Sequence, residues 1–333
     1  MAKLACLFPG QGSQSVGMGF DLSQNFLDAR ELFGQIDQIA GRSLSQLCFS
    51  GTLDELKKTN NTQPTLLATS IVAWECYVKA GGPEPDFVAG HSLGEFSALY
   101  ASRALSLESA IRLVTERSKL MEAADKGAMS AIIGMNGAKL KALCEEITTK
   151  HKQTHLDKSA DGDRAREGAQ TEVVIVANYN TEEQLVISGS PEAVAEAGAQ
   201  AKLAGAKVLP LPVGGAFHSP LMDKAAEQFS SFIDECLFAK SRYPIVQNFS
   251  ATPACESGLL RSNLKLQMNN SVRWYETIEY MLAQGVDNFI EIGPGKVLSG
   301  MVKRINKQVR VFNVEDSASL NETLAALAFC VSQ

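Results

Sequence analysis

The sequence predicts an α/β protein, with a large body around a mainly parallel sheet and a smaller unit inserted in its middle. Three observations carry that reading. Strand-like apolar runs alternate with helical-period segments along both ends of the chain. Near Gly127 the texture changes, and six elements follow in the order β-α-β-β-α-β, the ferredoxin-like motif. The 333 residues are 45% apolar and 20% charged, a globular balance that fills a sizeable core.

Taken in order, residues 3–8 (KLACLF) predict a short buried strand, and the glycine-rich PGQGSQSVGMG predicts a loop at its end. Helical periodicity runs through 20–39. A second helix spans 64–80, with Pro64 at its start. PDFVAGHSLGEFSALYAS predicts a strand, a sharp turn and a helix, followed by a helix over 107–123. The small unit holds strands at 128–135, 173–179, 184–189 and 207–213, with helices at 139–150 and 191–205. Its stretch 151–172 has one large apolar residue, Leu156, and predicts a mobile surface insertion. Beyond it come helices at 222–238, 272–285, 297–307 and 319–331 and strands at 243–250, 287–295 and 309–314. The predicted organisation is a large subdomain of 1–126 and 213–333 and a small one of 127–212. No internal repeat is visible.

Thirty-seven acidic residues against 31 basic give a net charge of −6, which argues against a nucleic-acid partner. The seven cysteines include no CxxC pair, so they predict structural thiols in a reducing compartment and no metal site. His151 and His155 are four apart but stand in a polar stretch. No window approaches the ~20 apolar residues of a membrane helix, and the N-terminus lacks a signal-peptide pattern. The expected location is cytoplasmic.

The sharpest local signal is Gly90-His91-Ser92-Leu93-Gly94, which fits the G-x-S-x-G nucleophile elbow between a strand and a helix and makes the large body α/β-hydrolase-like. Such a turn lifts the Ser92 hydroxyl into the open and aims the Leu93 amide at a developing oxyanion. Serine needs a base. Of four histidines, His91 adjoins the serine and should diverge from it, and His151 and His155 lie in the insertion. His218, in a strand-end loop, remains. No acidic third member stands out; the orienting group is expected to be a main-chain carbonyl near Gln247 or Asn248. The loop 9–14 is the natural source of a second oxyanion donor, through the Gln11 amide. Arg117 sits on the helix after the elbow. Periodicity does not choose it over Arg112 or Lys119, but an inward guanidinium there would pair bidentately with a carboxylate on the acyl group.

With these residues in view, the chain resembles the malonyl-CoA:acyl carrier protein transacylases and the related acyltransferase domains of polyketide synthases. The likeness covers nearly the whole length, through LFPGQGSQSVGMG (7–19), NNTQPTLLATSIVAW (60–74), VAGHSLGEFSALYASRALS (88–106), TERSKLM (115–121), VVIVANYNTEEQLVISG (173–189), LPVGGAFHSPLM (211–222), PIVQNFSA (244–251) and FIEIGPGKVLSG (289–300). The resemblance implies that Ser92 carries the acyl group and that His218 is its base. Arg117 would hold the malonyl carboxylate, and Gln11 and Leu93 would donate main-chain N–H groups. A carbonyl in the segment 247–248 would orient the histidine. Phe217 resembles the malonyl-selective members, its ring filling the space a 2-methyl needs, although it could equally pack the loop. The implied partners are malonyl-CoA and an acyl carrier protein; no cofactor, metal, nucleic acid or membrane is implied, and the family suggests a monomer. Lys303, Arg304, Lys307 and Arg310 form a basic stretch that is either a carrier-docking patch or a solvated face. An acyl-thioester hydrolase using the same Ser92–His218 pair is the rival reading. The insertion 151–172 is longer than the resemblance leads one to expect.

Overall fold

The fold comes from a computed structural model, which describes residues 3–160 and 172–331. Two sheets organise it. The larger takes β1 (Lys3–Phe8) and β2 (Phe87–Gly90) from the first part of the chain. The smaller is built from β3 (Ala128–Ile133), β4 (Val174–Tyr179), β5 (Gln184–Gly189) and β6 (Lys207–Pro210). The large sheet is then completed by β7 (Ile245–Val246), β8 (Pro253–Ala254), β9 (Val286–Ile292) and β10 (Arg310–Val314).

The six-stranded order is β10-β9-β1-β2-β7-β8, parallel except for the terminal β7–β8 pair. Its central strand shows why KLACLF is apolar throughout. Leu4, Cys6 and Phe8 enter the core on one face, while Ala5 and Leu7 enter the core on the other. Helices cover both faces. Thr59–Lys79 and Leu107–Ala123 bury their apolar sides in the first core, and Trp274–Ala283 and Val297–Ile305 in the second. Strand order reverses at β1, which has β2 on one side and β9 on the other. The loops after β1 and β2 therefore open at a topological switch point, where ligands bind in such sheets.

The four-stranded sheet runs β4-β5-β3-β6, antiparallel throughout, with two helices between its strands in chain order. This is the ferredoxin-like unit that the element order predicted. Helices Gly137–Ala160 and Pro191–Leu203 pack on it over Ile132, Leu140, Val176 and Ile187.

Several expectations need correction. The helix expected to end at 150 continues to Ala160, because HKQTHLDKSA contains no glycine or proline and is rich in helix-compatible residues. The part of the predicted insertion at 161–171 lies outside the described residues. Pro64 is not at a helix start but inside Thr59–Lys79. Its missing N–H leaves the Asn60 carbonyl without a helical donor, and Arg42 Nη2 donates to that carbonyl instead. The strand expected over 243–250 contracts to Ile245–Val246. The helix Ser257–Gln267, which no sequence expectation covered, proves central to the site.

Candidate active site

The elbow is built by what its glycines lack. A Cβ on Gly90 would stand 1.9 Å from the Gly94 carbonyl carbon and oxygen, and one on Gly94 would stand 2.0 Å from the Phe8 carbonyl oxygen. Without them, the turn folds onto itself and presses against the end of β1. Ser92 is held at φ 51°, a left-handed conformation that costs energy for a non-glycine residue.

Polar clamps maintain it. The Ser92 N–H donates to Asn248 Oδ1 (2.7 Å), and Asn248 Nδ2 donates to the Gly90 carbonyl (2.7 Å), so one side chain ties both arms of the turn. Asn248 is fixed in turn by Glu95, a fully buried carboxyl. Glu95 accepts the Asn248 main-chain N–H (2.8 Å) and Gln247 Nε2 (3.1 Å). Burial pushes the Glu95 carboxyl up and these hydrogen bonds oppose it.

His218 meets this turn from the opposite side. Its Nε2 lies 2.7 Å from Ser92 Oγ, and its Nδ1 lies 2.9 Å from the Gln267 carbonyl oxygen. A carbonyl only accepts, so Nδ1 carries the proton and Nε2 offers a lone pair to the serine hydroxyl. The expected orienting carbonyl at Gln247 or Asn248 is therefore corrected to Gln267. The loop after β7 is committed to the underside of the elbow. The helix Ser257–Gln267 ends at the histidine, with terminal carbonyls that have no intrahelical partner. The His218 N–H donates to the next carbonyl, that of Met268 (3.1 Å). Burial, then the neighbouring Arg117 charge, holds the imidazole down at about 3. It is a free base at neutral pH.

Arg117 points inward. It follows Leu113 and Val114 on the buried stripe of its helix, whereas Arg112 and Lys119 are exposed and pair with Glu235 and Glu116. The guanidinium is fully buried. Nη1 donates to Gln63 Oε1 (2.7 Å), while Nη2 donates to Gln267 Oε1 (2.9 Å) and to Ser92 Oγ (3.1 Å). Its carbon lies 5.5 Å from the Phe96 ring centroid. Burial lowers its pKa to about 10, opposed by Glu95, so it remains cationic at pH 7. Both amide partners are neutral acceptors, and Nε is buried with no partner among the described residues.

The loop after β1 completes the site. A Cβ on Gly10 would stand 2.4 Å from the His91 carbonyl oxygen, so glycine lets the loop touch the elbow. Among the described residues, the Gln11 and Leu93 amides donate to no protein acceptor, as donors awaiting an oxyanion would. Phe217 is buried with its ring against Gly215. His91 diverges from the serine as expected, its Nε2 2.8 Å from Asn180 Oδ1. The basic stretch is partly engaged, since Lys303 donates to the Val309 carbonyl and Arg304 to Gln184.

Sequence reasoning missed Gln63, Glu95 and Gln267. Gln267 had a signal: Leu260, Asn263, Leu264 and Gln267 follow the i, i+3, i+4, i+7 spacing of a buried helical face. Among the described residues, no three His, Cys, Asp or Glu side chains gather as a metal site, and no helix is long and apolar enough to cross a membrane.

Residues 6–323 match the model of the acyl transferase domain family. The malonyl CoA-acyl carrier protein transacylase of Bacillus subtilis (strain 168) is 40% identical over 331 residues, 98% of each chain. The same-named protein of Salmonella typhimurium is 38% identical, over 97% of this chain and 99% of that one. The chain belongs to the malonyl-CoA:acyl carrier protein transacylase family. Solved structures agree with this transacylase fold. FabD from Acinetobacter baumannii superposes with a TM-score of 0.88 at 36% identity, covering 99% of each chain. A malonyl-transacylase in complex with its type II PKS acyl-carrier protein also gives 0.88, at 37% identity, covering 98% of this chain and all of that one.

Proposed function

We propose that the protein transfers malonyl from malonyl-CoA to the phosphopantetheine thiol of an acyl carrier protein, through an O-malonyl intermediate on Ser92. His218 Nε2 takes the hydroxyl proton while Oγ attacks the thioester carbonyl. The oxyanion of the tetrahedral intermediate is received by the Gln11 and Leu93 amides. The C–S bond then breaks, and the proton held by His218 passes to the departing coenzyme A thiolate. In the second half-reaction the carrier thiol gives its proton to His218 and attacks the serine ester, and Ser92 regains the proton as it leaves. No redox or metal chemistry is required, because a thioester is already an activated acyl donor. Phe217 favours malonyl over methylmalonyl, by ~1–3 kcal/mol if its ring fills the methyl-sized space.

The observation that carries this reading is the cationic Arg117, buried beside Ser92 Oγ and hydrogen-bonded only to neutral oxygens, those of two amides and the serine hydroxyl. A buried guanidinium with no carboxylate hydrogen-bonded to it gains from an arriving one, which selects an acid-bearing acyl group. It also disfavours the hydrolase alternative for plain acyl chains. The proposed setting is the cytoplasm, where buried thiols such as Cys6 and Cys48 stay reduced.

Intact-protein mass spectrometry after brief exposure to malonyl-CoA tests the reading. A malonyl adduct is expected on the native chain and none on Ser92→Ala, with the adduct discharged by holo carrier protein. Discharge to free malonate at a rate indifferent to carrier protein would favour the hydrolase.

A further inference from the structure

One residue touches all three parts of the site. The Gln267 main-chain carbonyl receives His218 Nδ1–H, and its side-chain amide spans the gap between the elbow and the guanidinium. Nε2 donates to the Ser92 carbonyl (2.8 Å) and Oε1 accepts from Arg117 Nη2 (2.9 Å). The orientation of that amide is dictated by its neighbours. Arginine only donates and a carbonyl only accepts, so a flipped amide would oppose two like groups. Gln267 is almost fully buried, so removing its amide would leave the groups it bonds with one partner fewer.

We infer that the Gln267 side chain is a specificity-determining positioning residue: it aims the Arg117 guanidinium at the acyl carboxylate through a neutral acceptor, so that no carboxylate is hydrogen-bonded to the guanidinium and the buried Glu95 acts on it only through space. The contrast with a carboxylate makes the point. Glutamate has the same length and would hold Nη2 equally close. It would also ion-pair directly with the guanidinium before substrate arrived and turn an oxygen toward the Ser92 carbonyl. An apolar residue would leave the guanidinium free to settle on Ser92 Oγ, which it already reaches at 3.1 Å, engaging the nucleophile rather than the substrate. A neutral amide acceptor with a donor on its other end satisfies both demands. Gln63 Oε1 plays the matching part on Nη1 and fixes the guanidinium plane from the second side (2.7 Å). The main-chain contact to His218 is available to any residue at 267, so substitution separates the side chain's contribution from the backbone's.

This assignment rests on malonyl transfer through Ser92, so native enzyme is tested first. If native chain forms no malonyl adduct on Ser92, the functional reading itself fails. Given a native adduct, kcat and KM are measured with malonyl-CoA and acetyl-CoA for Gln267→Glu and Gln267→Met, each alone and combined with Arg117→Ala. The expected result is a fall of at least tenfold in the malonyl-to-acetyl ratio of kcat/KM for both single variants. For Gln267→Glu the loss should lie mainly in KM for malonyl-CoA. In the Arg117→Ala background, neither substitution should move the ratio further, because the residue acts through that guanidinium. An unchanged ratio in either folded single variant, or an equal additional fall without Arg117, overturns the proposal. If one variant fails to fold, the other decides.

Discussion

Arg117 keeps its charge where water does not reach, and that is costly unless something in the catalytic cycle uses it. Arg117→Ala is therefore expected to lower kcat/KM for malonyl-CoA by about 100-fold, ~3 kcal/mol, the usual loss when one partner of a buried charged pair is removed. Steady-state kinetics with acetyl-CoA alongside checks it, since the preference between the two donors should collapse. His218 supplies a pH prediction. Its folded-state value, about 3, lies below the ordinary histidine value of 6.5. The unfolded chain then binds more protons than the folded one between those values. The stabilising contribution is complete above pH 6.5 and is lost as pH falls toward 3. Urea titrations should find native protein less stable at pH 5.0 than at 7.5, with a smaller difference in His218→Gln. Over the same range the malonyl loading rate per folded molecule should not show a general base being protonated. A loading rate that titrates near 6.5 would contradict this environment for His218.

At the scale of elements, the strand–elbow–helix unit depends on close backbone contact. Gly90 and Gly94 do not have positive φ; they are required by space alone. Gly94→Ala is expected to cost about 3 kcal/mol or more, because its Cβ would collide with the rigid Phe8 carbonyl rather than with a mobile side chain. Chemical denaturation checks the value. Gly12→Ala, with open space around its Cβ but φ 107°, should be destabilised by backbone strain alone and therefore less. These contiguous signals explain what was legible in the sequence. The elbow announces itself in five residues. Ser92 could be paired with His218 because the alternatives were a neighbour that had to diverge and two residues in a polar stretch. The ferredoxin-like unit could be read because each of its strands is a distinct apolar run. The helix Ser257–Gln267 was not read, because its buried face mixes leucines with Asn263 and Gln267 and its hydrophobic period is diluted. With that helix went the true partner of His218 Nδ1. A main-chain carbonyl leaves no trace in residue identity, so proximity in the fold alone could supply it. Gln63 and Glu95 escaped for a related reason. Their roles are set by what they face inside the core, and a buried polar residue looks like a surface one in a sequence.

At the scale of the whole molecule, the two sheets are joined more tightly than an insertion requires. Val272 in the large body exchanges main-chain hydrogen bonds with the β4 region, donating to the Ala177 carbonyl (2.8 Å) and accepting the Tyr179 N–H (2.9 Å). The Ser271 hydroxyl adds a bond to the Val176 carbonyl (2.7 Å), and His91, within the elbow, reaches Asn180. Met129, Ala177 and Val186 of the small unit also belong to the same apolar core as Phe8, Phe96 and Phe229 of the large one. A shared core and shared main-chain hydrogen bonds couple the stability of the two units, because neither can open without exposing the other's buried surface. Thermal unfolding is therefore expected to be a single transition, with near-UV and far-UV circular dichroism superimposing and calorimetric and van't Hoff enthalpies agreeing. Two resolved transitions, the first leaving the malonyl–Ser92 adduct able to form, would mean that the small unit comes away from an intact site. The coupling has a chemical consequence: His218 lies on the segment by which the chain leaves β6 for the large body, and the elbow that it meets is tied to Asn180. The approach of His218 to Ser92 is thus set by the docking of the two units. Weakening that seam with Val272→Pro, which removes the donor to Ala177, should slow serine loading by at least tenfold without altering any side chain of the site.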